Sequence, residues 1–273
     1  MLTVCLRSIF KQGWPVQIFL LNHSNNEIDL TNYFSLSERE KIKLVNLGHL
    51  KAKRGAPLNI GLKLAMEAAQ EREAYLAFLD DDDIVYPQFL ATLVSEAART
   101  GKTLVYGASF KRVDDAEPEF AFGYRPTMEL FVNNFIPINS YVLSLNNLKK
   151  DPVYFDESLE VLEDWKFLIE LVLKKHKFGY VDSVISEFSV RTDGSNSLNQ
   201  NSVKHWENCE KEIETFVRGQ NLELSGDTLM DFGVYFKNNQ ERKILVPKHK
   251  LIPYKKSFYL RALEKFRKLF LSV

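Results

Sequence analysis

Four consecutive aspartates, Asp80 to Asp83, follow directly on the apolar run Ala74-Tyr75-Leu76-Ala77-Phe78-Leu79. Adjacent carboxylates about 4 Å apart repel by ~1 kcal/mol in water and several-fold more near a protein surface. Such a run asks for a cation, and ligands that are all oxygen select hard ions such as Mg²⁺, Mn²⁺ or Ca²⁺. A solvated acidic turn is the other reading of the same four residues. Their position favours the metal, because open α/β sheets bind ligands at the carboxyl ends of their strands.

The elements around this run alternate between short apolar strands and helical patterns, which is the signature of an α/β domain. Thr3 to Lys11 reads as a helix with Leu2, Leu6, Ile9 and Phe10 on one face, and Val16 to Leu21 as a buried strand after Gly13-Trp14-Pro15. Pro57 to Ala69 is a helix with proline near its start, where the missing donor costs little. Tyr75 to Leu79 is a buried strand, Pro87 to Thr100 a helix closed by Gly101, and Thr103 to Ala108 a further strand. Phe110 to Pro126 reads as a long, acidic, mobile loop. Ile138 to Leu145 is strand-like, Glu163 to Lys175 helical, and Tyr180 to Val190 one or two strands. Val203 to Arg218 is a helix with Trp206, Ile213, Phe216 and Val217 inward, stopped by Gly219.

Composition removes several classes of function. The 273 residues carry 36 Lys plus Arg against 36 Asp plus Glu, so the basic surplus of a generic nucleic-acid binder is missing. Twenty Phe and eleven Tyr suit a packed core rather than a disordered chain. Cys5 and Cys209 are too few for a disulfide framework or a zinc cage, and the five histidines (23, 49, 176, 205, 249) show no metal-ligand spacing. No apolar run approaches the ~18–20 residues of a membrane span, and the first residues lack the pattern of a signal peptide. The expectation is a cytoplasmic protein, soluble or peripheral on the inner face of the membrane.

Five segments, taken in order, resemble family 2 glycosyltransferases of the GT-A fold. Ser8-Ile9 and Gln12 resemble the family's first helix. Arg54-Gly55 with Asn59, Gly61 and Ala65 resembles its R-G-x-x-x-N-x-G-x-x-x-A segment. Asp80 to Asp83, followed by Tyr86-Pro87, resembles its D-x-D region. Phe155-Asp156-Glu157-Ser158-Leu159 and Glu163-Asp164-Trp165 resemble the acceptor-side F-D-E-x-L and E-D-W motifs. The likeness covers roughly residues 2 to 200. It implies a mixed, Rossmann-like sheet with helices on both faces and a C-terminal helical extension. The corresponding organisation is a catalytic domain over 1–200, a helical segment over 201–240 and a basic tail over 241–273.

The resemblance also implies roles. Asp82, as the second Asp of D-x-D, would bind Mn²⁺ or Mg²⁺ bridging the two phosphates of a nucleotide-diphosphate sugar, where a cation stabilises the departing diphosphate. Asp80 would contact the ribose or the metal's water shell, with Asp81 beside it on the donor side. Asp164 would be the general base that takes the acceptor hydroxyl's proton with inversion at the anomeric carbon. Its place at a helix start stabilises the anion that must accept; the alternative is a merely acidic first turn. Arg54 would touch the diphosphate or stay solvated, and Asn59 would touch the nucleotide or serve the structure. Asn22 and Ser24 stand where the family carries an acidic, base-reading D-D-G-S-type sequence. An asparagine oxygen still accepts from a uracil N–H, but the lost charge leaves the nucleotide open.

Two departures from the pattern matter. Family members begin with a buried strand before the first helix, whereas this chain starts inside that helix. The expected explanations are an internal start, a degenerate product or a replacement segment, since two unpaired edges in mid-sheet are a liability. Where the family carries a metal-ligating histidine, Asp193 stands instead, as an oxygen ligand or as part of a turn with Gly194. Residues 240–273 hold ten Lys or Arg, two Glu and two prolines, with Tyr259, Leu263, Phe266, Phe270 and Val273 at helical spacing. Such a helix lies on an anionic membrane, as a transferase acting on lipid-linked saccharides would need, or caps the domain.

The leading reading is therefore an inverting, metal-dependent transferase building a surface polysaccharide or glycolipid. A non-catalytic, truncated relative that binds nucleotide sugars or glycans is the alternative. A nucleotidyltransferase would have no use for Glu163-Asp164.

Overall fold

Strand β5 (Leu104–Val113) is the axis of the main sheet of the computed structural model, which describes residues 1–24, 26–48, 53–192 and 203–220. Its apolar first half is buried on both faces. On one side it pairs in parallel with β8 (Phe178–Val190), and on the other antiparallel with β7 (Tyr141–Ser144). Beyond β7 lies β3 (Tyr75–Leu76), beyond β8 lies β4 (Ile84–Val85), and β6 (Glu119–Phe122) also pairs with β5. Two further strands, β1 (Ile18–Asn22) and β2 (Ile42–Asn46), form a parallel pair of their own, with no ladder to the main sheet among the described residues.

The fold is the mixed α/β class that the alternating pattern predicts. Helix α4 (Phe89–Thr100) turns Phe89, Leu93, Val94 and Ala97 onto Val105 of β5, Val142 of β7 and Ile185 of β8, and this makes one continuous apolar cluster. The helix stops at Gly101, whose φ of 65° is left-handed and suits a residue without Cβ. Helix α1 (Leu2–Phe10) lies against β4, α3 (Gly55–Ala69) against β1, and short α2 (Leu36–Arg39) is closed by a capping box between Ser35 and Glu38.

Several expectations need correction. The segment 110–126 is not a loop: β5 runs on to Val113, the chain turns at Asp114 (φ 49°), and β6 folds back on it. Its alternation was masked by Asp114, Asp115 and Glu117, which lie between the two strands. The predicted strand over 75–79 is regular for two residues only, and β2, β4 and α2 were not anticipated. The stretch 138–145 is a 3₁₀ turn, a four-residue strand and then short α5 (Leu145–Leu148).

The described chain falls into two units. The first comprises Met1–Tyr124 and Ile136–Cys209. In the second, of which Arg125–Phe135 and 210–220 are described, the buried Glu129 is ion-paired with Arg125, whose guanidinium lies 5.8 Å from the Phe135 ring centre. Helix α7 (Val203–Arg218) buries Cys209, Ile213 and Val217. The expected boundary at 200 and the basic tail over 241–273 lie outside the described residues.

What positions the site is a clasp between α3 and the segment leading into α6 (Glu163–Leu173). Buried Asn59 donates through Nδ2 to the Phe155 carbonyl at 2.9 Å and to Glu157 Oε1 at 2.8 Å, and its oxygen accepts from the Phe155 N–H at 2.8 Å. Four residues earlier, a Cβ at Gly55 would stand 2.7 Å from the Asp156 carbonyl oxygen. The glycine is there because a backbone passes at that distance. Asp156 itself accepts from Ser158 and pairs with Lys166 on α6.

Two outcomes test the clasp. Gly55→Ala should lower stability by about 1–3 kcal/mol in denaturant melts through overpacking, against a helix preference for alanine of about 1 kcal/mol; an unchanged midpoint would show that the two backbones separate freely. Burial would raise the Asp156 carboxyl, but Lys166 and Ser158 outweigh it and hold the group at about 2. A depressed carboxylate stabilises above its ordinary value near 3.8 and loses that contribution as pH falls towards 2. The advantage of the native chain over Asp156→Asn should therefore shrink between pH ~4 and ~2. A constant difference across that window would count against the assignment.

Candidate active site

The aspartate turn is pinned from two sides. From α1, the Cys5 thiol donates to the Asp80 carbonyl at 3.4 Å, and Ser8 Oγ accepts from the Val85 N–H at 3.3 Å. Gln12 uses both ends of its amide, donating to the Tyr86 carbonyl at 2.9 Å and accepting from the Leu90 N–H at 3.0 Å. All three side chains are buried, and their bonds fall on the backbone of the turn and of the residues that follow it. From β8, the Ser189 N–H donates to Asp83 Oδ1 at 3.0 Å, and Ser189 Oγ donates to the Asp82 carbonyl at 2.7 Å. Glu187, 2% exposed, accepts from the Tyr86 hydroxyl at 2.9 Å and is ion-paired with Arg112.

Arg54, at the head of α3, joins this turn to the tip of α6. Its Nη2 donates to Asp80 Oδ2 at 3.1 Å, and its Nε lies 3.0 Å from Glu163 Oε1. Asp164 is the next residue along, with its Oδ1 accepting from the Trp165 N–H at 2.7 Å. Arg54, Asp80 and Glu163, which come from three separate segments of the sequence, are therefore bonded together, with Asp164 beside Glu163.

The electrostatics are those of crowded anions. Burial, reinforced by Asp80 and Asp82, pushes the Asp83 carboxyl up to about 8, with the Ser189 N–H and Arg54 opposing. Burial, then Asp80 and Asp81, raises Asp82, while Arg191 draws it down. Burial and then the Asp164 charge raise Glu163, against the pull of Arg54. Burial and the four aspartates hold the Cys5 thiol at about 12, so it stays protonated and serves as a donor. Burial lowers Arg54, but Asp80, Glu163 and Asp164 outweigh it and raise its basicity.

This arrangement fits a hard divalent cation in its donor chemistry: all oxygen, mutually repelling, and partly exposed. Among the described residues no three His, Cys, Asp or Glu side chains converge as a ready-made shell. An Mg²⁺-type ion needs none, since it is commonly held by one or two carboxylates, waters and substrate phosphates. Asp193 lies outside the described residues. Exposed Asp81 faces solvent at the crest of the turn.

The remaining predicted residues are engaged in structure. Asn59 has both amide hydrogens committed to Phe155 and Glu157. At the end of β1, the Asn22 oxygen accepts from both the N–H and the Oγ of Ser24, at 3.1 and 2.8 Å, while Nδ2 donates to the Asn26 carbonyl and to Asn46. A nucleotide base reading Asn22 would have to displace a Ser24 bond. Sequence reasoning missed Ser189 and Glu187. A lone acid within the apolar run Val184-Ile185-Ser186-Glu187-Phe188 signals a paired buried charge, whereas nothing near Ser189 announces its partner more than a hundred residues away.

The chain resembles solved structures of S. aureus TarS. It aligns with residues 1–349 of TarS in complex with UDP-GlcNAc at a TM-score of 0.61 and 16% identity, covering 98% of this chain and 76% of that one. The complex of the same TarS segment with UDP gives 0.59 and 16%, covering 98% and 77%. At that identity the likeness speaks for the fold. No curated protein sequence matches. The family model for glycosyl transferase family 2 matches residues 1–143, which hold the aspartate turn, Arg54 and the α1 pins. With more than half its length matched and its fold shared with these neighbours, the chain belongs to the family 2 glycosyltransferases and has their GT-A fold.

Proposed function

We propose that the protein transfers a sugar with inversion from a nucleotide-diphosphate sugar to a hydroxyl acceptor, with Asp164 as general base. The observation that carries this reading is the Arg54 bridge, which brings the donor-side aspartate turn and the base-bearing tip of α6 to one place. Asp82 would hold Mn²⁺ or Mg²⁺, with Asp80 and Asp81 on the donor side, and the cation would stabilise charge on the departing diphosphate. Asp164 accepts the acceptor's proton as the acceptor oxygen bonds to the anomeric carbon. The bond from that carbon to the β-phosphate oxygen breaks, and the nucleoside diphosphate departs on the opposite face. Glu163, anchored on Arg54, fixes the first turn of α6 and hence the base.

TarS, a structural neighbour, binds UDP and UDP-GlcNAc, so uridine diphosphate sugars are the first donors to screen. The acceptor is a carbohydrate or lipid-linked saccharide, and the product a surface polysaccharide or glycolipid. A basic C-terminal helix resting on the inner face of the membrane suits that acceptor.

Thermal stabilisation by a panel of nucleotide sugars, with and without Mn²⁺, tests the donor side. Asp82→Asn should abolish the part of the shift that needs Mn²⁺. Asp164→Asn should keep the shift while turnover falls about 10²–10⁴-fold. Equal turnover in the native chain and in Asp164→Asn would remove the base, and a shift indifferent to Asp82 and to Mn²⁺ would remove the metal.

A further inference from the structure

Tyr141, the first residue of β7, is completely buried, and its hydroxyl has no hydrogen-bond partner among the described residues. Buried polar groups are nearly always paired, and an unpaired hydroxyl destabilises the fold. Phenylalanine would fill the same space without that penalty, so packing does not explain why a tyrosine is here.

Its location does. The pairs Tyr75↔Ser144 and Leu76↔Leu143 set the register between β3 and β7. Carried two residues further, that register brings Tyr141 level with Phe78, two residues short of Asp80. On its other side Tyr141 pairs with Tyr106 of β5. Tyr141 thus stands at the end of β7 that lies beside the residues leading into the aspartate turn. Burial, then the charges of Asp164 and Glu163, push its ionisation well above the ordinary phenol value. It is a neutral donor held within the field of two carboxylates. One of them, Glu163, is already bonded to Arg54.

We infer that Tyr141 is a positioning residue for the base: its hydroxyl donates to the Asp164 carboxylate when donor and acceptor close on the site. Catalytic hydrogen bonds are often long or unmade in ligand-free structures and tighten in the reactive complex. A bond from below would fix one carboxylate oxygen and aim the other at the acceptor. This rests on the proposed role of Asp164. Tyr141 itself, without exposed surface, reaches the reaction only through that side chain.

The test uses the full chain and the nucleotide sugar that stabilises it best, with water as acceptor and release of the nucleoside diphosphate as the readout. Tyr141→Phe should melt at the same temperature as the native chain or higher, and keep its donor-induced shift and its KM for donor. Its kcat should fall about 10-fold or more. In the Asp164→Asn background the same change should have no further effect, because the two act as one unit. Unchanged kcat in Tyr141→Phe, while Asp164→Asn is inactive, overturns this inference alone. Loss of stability alongside activity assigns the hydroxyl to the fold and also overturns it. Full activity in Asp164→Asn, or no turnover by the native chain on any donor, removes the base and this inference together.

Discussion

Six carboxylates, Asp80 to Asp83 with Glu163 and Asp164, crowd one site, with Arg54 bonded between two of them. Burial first, and then like charges this close, raise their affinity for protons, as Asp82, Asp83 and Glu163 show. Left to itself, such a turn would move away from its neighbours or take up protons. The architecture around it holds it in place: bonds fix the turn's backbone, and the Arg54 guanidinium pairs with Asp80 and Glu163.

Those bonds are made by buried polar side chains, which otherwise carry a penalty in an apolar core. Ser8 and Gln12 on α1, Ser189 and Glu187 on β8, and Asn59 on α3 all escape it by pairing with backbone groups or with a charged partner. A short strand such as β3, regular over two residues, could not hold four aspartates by its own ladder. The turn is therefore held from outside, by a helix and a strand far apart in the sequence.

Much of this was legible beforehand. The apolar run before Asp80, the periodicity of α3, α4 and α6, and Gly101 as a helix stop are local signals, and local signals survive in a single sequence. Arg54, Asp80 and Glu163 were each singled out, but their meeting was not, because ion pairs across a fold leave no spacing to read. The hairpin over 104–122 was hidden for a different reason. Its turn carries Asp114, Asp115 and Glu117, and that charge made the whole segment look solvated while Phe110, Phe120 and Phe122 were alternating towards one another. Asn22 shows the converse: its place at a strand end suggested a ligand contact, but a short polar side chain there also closes a turn on Ser24, and from residue type alone the two are indistinguishable.

The choice of arginine at position 54 follows from the same constraint. Asp80 and Glu163 are met by two different nitrogens, Nη2 and Nε, of one planar group. A lysine offers one compact ammonium and could not span both without leaving a carboxylate unpaired, one of them buried. Because the guanidinium is shared, the two halves of the site are not electrically independent. The Asp80 charge already contributes to the raised proton affinity of Glu163. Whatever neutralises Asp80 relieves Glu163 as well, and frees Arg54 to hold it more tightly. A change of charge at Asp80 is thus felt at the first turn of α6, one residue from Asp164.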